Sequence, residues 1–159
     1  MAPIALRSRD GGEFAVNQAN ELEQAVEQSH GALAAIIRGD VSGYARLYSS
    51  RDDITIGNPF GPFSRGRENV IATGEVAAAR YHDGEIVSFE TVASHVSDEL
   101  ACVVEVERFR AKVGDMDALA PVALRVTSVF RRENGAWRLV HRHADPITTP
   151  QPADSVIQR

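Results

Sequence analysis

Two stretches of this chain concentrate side chains that can do chemistry. The first, VVEVERF at residues 103–109, sets two carboxylates two positions apart in a β-branched run. In an extended strand Glu105 and Glu107 share a face with Val103 and Phe109. Val104, Val106, Arg108 and Arg110 take the other face. Carboxylates in the middle of a sheet are costly unless paired or hydrated. A carboxyl desolvated in an apolar pocket holds its proton more tightly, which suits a proton shuttle. The other use is a Glu–Arg ladder, with Arg142 or Arg125 across the sheet neutralising the pair. A charged pair lining a cavity can serve both.

The second stretch is WRLVHRHADP, residues 137–146. Its alternation puts Trp137, Leu139, His141 and His143 on one face and Arg138, Val140, Arg142 and Ala144 on the other. Two histidines at i, i+2 have the spacing of a metal pair, but such a site needs further ligands. Asp145 is one candidate. His30, His82 and His95 fall on other elements, so no metal site and no cofactor is expected. The preceding ENG turn decides which face is inside. A two-residue Asn134-Gly135 turn sets His141 opposite Ser128, beside Leu124, Val126 and Phe130. A three-residue loop slips the pairing by one. Trp137, His141 and His143 then share a face with Arg125, Thr127 and Val129, while Arg142 joins Ser128 on the apolar side. The second register is preferred, because it yields one apolar face and one mixed face. A mixed face rich in Trp, His and Arg suits a subunit interface, with Trp137, His141, His143 and Arg125 as its candidates.

The elements that position these residues follow from periodicity. Leu22, Val26, Ser29, Leu33 and Ile36/Ile37 recur at helical spacing over residues 17–38, and Gly39 ends that helix. Asp40 is a candidate N-cap for a short second helix carrying Tyr44, Leu47 and Tyr48. Ile54 and Ile56 mark a short strand, followed by a Pro/Gly loop over 58–66. A third helix over 67–81 has Val70, Ile71, Gly74, Ala77, Ala78 and Tyr81 as its inner side. Period two then takes over in four strands, 86–96, 100–113, 122–132 and 137–144. Helices first and an antiparallel meander after them make an α+β domain over 17–146. Residues 1–16 read as a flexible N-terminal arm and 147–159 as a proline-containing tail.

Composition narrows the class. At 159 residues the chain is long enough for one core. The net charge of −5, with no Lys/Arg run, argues against nucleic acid. A single cysteine, Cys102, excludes an internal disulfide, and no stretch is long and apolar enough for a signal peptide or membrane span. A cytoplasmic protein that meets neither membrane nor nucleic acid is expected.

The order helix, Gly-Asp, short helix, strand, Asn-Pro loop, helix and four strands resembles the nuclear transport factor 2-like superfamily. The ending RRENGAWRLVHRHAD carries the likeness most specifically, and it spans about residues 20–146. The nearest branches are the SnoaL-like and ketosteroid-isomerase-like domains and the association domain of calcium/calmodulin-dependent kinases. The resemblance implies a cone-shaped α+β barrel, three helices packed on a strongly curved, mainly antiparallel sheet enclosing a pocket. It also implies a homodimer formed through the outer face of the sheet, and no cofactor. Glu107 would sit in the cavity with Glu105 beside it. Asn58, before Pro59, stands where association domains carry an acid, which removes a base and leaves a hydrogen-bonding group. The arginines of the association-domain pocket fall on Glu107, Ser128 and Ala144, so its anion-binding character does not carry over. The Tyr-plus-two-Asp set of ketosteroid isomerases and the Asp-Arg-Asp set of limonene epoxide hydrolase are also missing.

Two functions fit. One is a SnoaL-like protein that binds a small apolar carbonyl compound. Any catalysis there would be cofactor-free proton transfer of the isomerase, cyclase or dehydratase type. Glu107 would be the acid/base, and Asn58, Tyr48, Glu105, Ser128 and Arg142 would contact the ligand. The other is a non-catalytic homodimeric association module. This fold hosts both.

Overall fold

The computed structural model describes residues 10–158. Helix α1 (Asp10–Ile36) is followed by the single turn α2 (Tyr44–Leu47), the short strands β1 (Thr55–Gly57) and β2 (Ser64–Arg65), and α3 (Arg67–Arg80). Four long strands complete the domain: β3 (Tyr81–Val96), β4 (Leu100–Val113), β5 (Ala120–Glu133) and β6 (Ala136–Asp145). The strands form one sheet in the order β2-β1-β6-β5-β4-β3. Every pairing is antiparallel except β1 with β6. The expected α+β architecture, three helices on a curved sheet, is present.

Each helix boundary has a local cause. Gly39 adopts φ +87, and the amides of Gly39 and Asp40 return to the carbonyls of Ile36 and Ala35. A left-handed glycine closing the last turn is the common helix stop. Asp40 does not cap α2. Its Oδ1 accepts from the Ser42 amide (2.8 Å), which shapes the turn ahead of the helix. Helix α3 starts after Gly66 with no cap on its own side. Asp52 reaches across instead, accepting from the Arg67 amide at 2.8 Å. The Arg67 guanidinium then donates to the carbonyls of Ala45 and Ser49, joining the start of α3 to the end of α2. Residues 10–16, expected in the arm, belong to α1, and residues 1–9 lie outside the described part. The tail beyond Asp145 is mostly exposed and carries one 3-10 turn, Ala153–Val156.

Curvature is concentrated at bulges. Strand β3 shifts register against β4 three times, between His82/Glu85, Ile86/Ser88 and Thr91/Ala93. Each extra residue adds local twist and bends the strand. The first bulge falls before residue 86, where the strand was expected to begin, and its residues lie inside β3. Asp83 takes φ 53 there, and the Gly84 amide donates to the Ile37 carbonyl (2.9 Å). A Cβ at Gly84 would lie 2.5 Å from the Ile37 side chain, so this glycine lets the end of α1 dock on the sheet. The core fills the concave side, with Leu22, Leu33, Ile37, Val70, Phe109, Val126 and Leu139 all buried.

The β5–β6 hairpin combines the two alternative registers. The turn is the two-residue Asn134-Gly135 form, with φ 50 and 81 and Glu133 facing Ala136. Positive φ at both central residues defines the type I′ turn. Phe130 therefore faces Leu139 and Arg132 faces Trp137. A bulge at Val140 then resets the pairing, so Val129 meets His141 and Ser128 meets Arg142. Beyond the bulge the preferred register holds, although a three-residue turn is not its cause. Before the bulge it fails, and Trp137 is buried in the core at 6% exposure instead of sharing the outer face with the histidines.

Candidate functional site

Strand β4 alternates strictly, with Val103, Glu105, Glu107 and Phe109 buried and their neighbours less so. Glu107 is 1% exposed. Arg142 reaches it from β6, across the intervening β5. Its Nη1 donates to Oε1 at 2.9 Å and its Nη2 to Oε2 at 2.7 Å. This is the fork-on-fork geometry that arginine makes with carboxylates. Burial works against the Arg142 charge, but the charge and hydrogen bonds of Glu107 more than offset it, holding the guanidinium above its ordinary value. Arg125, the other candidate partner, is on the opposite face, where its Nε donates to Asp145 at 2.8 and 2.9 Å.

Two tyrosines stand beside this pair. Tyr44 and Tyr48, one turn apart, have hydroxyls 3.0 Å from each other and are both buried. Tyr44 packs against Gly74 of α3, where a Cβ would fall 2.2 Å from its ring. Burial raises both phenols above their usual range, Tyr48 the further, and the Arg142 charge only partly opposes this. Tyr81 is likewise pushed up by burial, to about 12. All three phenols therefore stay neutral donors near neutral pH.

Two small cavities flank Arg142. One, of about 50 Å³, is bounded by Tyr44, Asn58, Phe60, Tyr81, Leu124 and Arg142. The other, of about 30 Å³, is bounded by Ser29, Leu33, Tyr44, Tyr48, Leu139 and Arg142. Asn58 reaches the first cavity while its Oδ1 accepts from the Phe60 amide (3.0 Å), which fixes the Asn58-Pro59-Phe60 loop that lines it. Ser128 is buried opposite Arg142. The sheet thus gathers Arg142, Ser128, Glu107, Asn58 and Tyr48 on the concave side, with Tyr44 and Tyr81 added to them.

Glu105 is held elsewhere. Its two oxygens lie 3.0 and 3.1 Å from Nε2 of His30 on α1. The His30 ring stacks on Phe89 at 3.7 Å with an interplanar angle of 6°. Sequence reading set His30 aside as a metal ligand and gave it no partner, yet a signal was present. His30 continues the inner stripe four residues after Val26.

The SnoaL-like domain family model matches residues 23–148. This chain belongs to the SnoaL-like domain family. No curated protein matches the sequence. Among solved structures, this SnoaL-like domain is similar to a nuclear transport factor 2-like superfamily protein from Salmonella enterica. The TM-score is 0.70 at 17% identity, covering 86% of this chain and 98% of that one. It is also similar to a candidate dehydratase of the same superfamily from Streptomyces avermitilis, with TM-score 0.68, 20% identity and coverage of 85% and 99%. A candidate calcium/calmodulin-dependent protein kinase type II association domain from Thiobacillus denitrificans gives TM-score 0.64, 21% identity and coverage of 79% and 94%. At these identities the likeness is one of fold.

The convex face of the SnoaL-like sheet carries a different chemistry. His141 shares a 2.7 Å hydrogen bond between its Nδ1 and Thr55 Oγ1, and burial with the nearby His143 lowers its pKa. His143 lies 3.8 Å from Asp145. Phe63, 64% exposed, leans over Gly57 against both imidazoles. Val104, Val106, Thr127 and Val129 form a half-buried stripe between them and the β3 edge. No described helix is long and apolar enough to cross a membrane.

Proposed function

We propose that this SnoaL-like protein binds a small, largely apolar molecule carrying a carbonyl oxygen, in the pocket around Arg142. The observation that carries the reading is the convergence of donors on one apolar spot. Two of the five guanidinium N–H groups of Arg142 go to Glu107, which leaves others for a ligand oxygen. The Tyr44–Tyr48 hydroxyl pair adjoins it. Glu107, expected to be the acid/base, has both oxygens engaged, so its part is to hold Arg142 charged and in place. This geometry favours holding and polarising an oxygen over abstracting a proton. The name of the Streptomyces neighbour, a candidate dehydratase, fits a pocket for an oxygen-bearing molecule.

The cavities of about 50 and 30 Å³ are far below the several hundred Å³ of a drug-sized site. A ligand must be small, or must displace the Phe60 loop. That smallness favours a second reading, a non-catalytic module that assembles through its convex face. The half-buried valine stripe and the neighbour named as an association domain support it. Thermal-shift screening with short cyclic ketones separates the two. The first reading expects a ketone that raises Tm, with affinity reduced about tenfold by Tyr44→Phe, one hydrogen bond's worth. If no ketone stabilises the fold and sedimentation shows a dimer, the association reading stands instead.

A further inference from the structure

The Arg142 pocket has a neighbour across the β1–β2 connection. An open groove of about 570 Å³ lies between residues 58–65 and the outer side of α3. That volume is within the range of small-molecule sites, which the inner cavity of about 50 Å³ is not. Asn58 and Phe60 line both spaces, so these two residues form the wall between them. Helix α3 serves both as well. Gly74 and Ala77 line the inner cavity, and their chain neighbours Thr73 and Val76 line the groove.

The wall is lightly held. Across residues 59–62, the one hydrogen bond among the described residues runs from the Phe60 amide to Asn58 Oδ1. Pro59 and Pro62 have no N–H to donate. The Phe60 ring lies 5.3 Å from the Tyr81 ring, and the exposed Arg80 guanidinium is 4.9 Å from its centre. Neither contact is a hydrogen bond, so turning this ring aside strands no buried polar group. Beyond it the groove has apolar sides. Phe63 and Val76 line it at 64% and 49% exposure. Large apolar side chains gathered at one surface groove mark a binding surface. The polar groups there already have partners: the Ser64 and Thr73 hydroxyls are 2.8 Å apart, and Asn69 Nδ2 donates to the Arg65 carbonyl at 2.9 Å. Arg65 is the one charged residue lining the groove among those described. Such a surface suits a hydrocarbon chain better than a polar one.

We propose that the inner cavity and the groove form one elongated site with Phe60 as its partition, and that the ligand is a carbonyl compound bearing an unbranched hydrocarbon chain. The assignment rests on the Arg142 pocket holding a carbonyl oxygen. The carbonyl meets the Arg142 guanidinium, the Phe60 ring turns aside, and the chain runs out past Asn58 over Val76 and Phe63. A site of this length removes the mismatch between a donor-rich pocket and the small space around it.

The probes are 2-butanone, which is the head alone, and 2-nonanone, which carries a longer chain, followed by NMR on the full chain. Affinity should rise about twofold per added methylene, half the free energy of full burial because the groove is open, and so about thirtyfold between the two ketones. 2-Nonanone should shift the Val76 methyls and the Phe60 ring saturably, and 2-butanone should leave Val76 untouched. Val76 is exposed, so Val76→Asp keeps the fold; it should bring 2-nonanone down to the affinity of 2-butanone, which itself stays unchanged. Tyr44→Phe should weaken both ketones by the same factor. If 2-butanone binds and 2-nonanone binds no more tightly, the groove is no part of the site, and the proposal is overturned while the carbonyl pocket stands. If 2-nonanone shifts Val76 but Tyr44→Phe leaves its affinity unchanged, the two spaces are separate, which also overturns it. If neither ketone binds, the carbonyl pocket itself falls and the elongated site with it.

Discussion

At the scale of single residues, the decisive contact is the Arg142–Glu107 pair. Removing one member strands a buried charge, so Arg142→Ala should cost about 3–5 kcal/mol in urea unfolding. Replacing both with leucine should recover most of that loss, since the pair offsets its own desolvation. A double variant as unstable as the sum of the singles would refute this account. The tyrosines give a pH test. The chain has three, Tyr44, Tyr48 and Tyr81, all buried with phenol pKa values raised by desolvation. Between the unfolded value near 10 and the higher folded values, the unfolded chain releases protons that the fold retains. The stability contributed by the neutral phenols is complete below pH ~10 and falls as pH rises toward 12. Ultraviolet titration should show no tyrosinate near pH 10 while the protein is folded; one phenol ionising there would contradict the burial. Alternation in VVEVERF put both glutamates on one face with Val103 and Phe109, and the family resemblance turned that face inward. Their partners were less legible. Arg142 depended on a register that periodicity leaves open, and His30 lay 75 positions from Glu105.

At the scale of elements, the bulges and glycines decide what the strands and helices present. The Asn134-Gly135 turn favours one pairing, and the extra residue at Val140 produces the other five residues later. Sequence alternation continues through a bulge without a mark, which is why Trp137 was assigned to the wrong face and Arg142 to the right one. Gly74 plays the matching part between α2 and α3. Gly74→Ala forces its methyl into the Tyr44 ring. It should cost about 1–3 kcal/mol by denaturant midpoint, as overpacking does. It should also separate the Tyr44 and Tyr48 hydroxyls, visible as changed ring shifts. An alanine variant as stable as the parent, with those shifts intact, would mean that α3 slides freely.

At the scale of the molecule, helix order, the Gly-Asp stop and four alternating strands made the curved α+β architecture readable from sequence. Assembly is carried by surface pattern. If the valine stripe on the convex face is a subunit interface, Val106→Glu should convert a dimer to a monomer in sedimentation velocity, with the Arg142 pocket unchanged. A variant that stays dimeric would move the interface elsewhere. Trp137 also reports on the whole fold. It is the sole tryptophan, buried on the concave side with the Arg132 guanidinium 5.6 Å from its ring centre. Arg132 in turn grips Glu21 of α1 at 2.6 Å. One chromophore therefore sits at the joint between the first helix and the last hairpin, the parts of the domain most distant in sequence. Its fluorescence should be blue-shifted and shielded from acrylamide, and the moment it reddens during unfolding times the parting of the two ends of the chain.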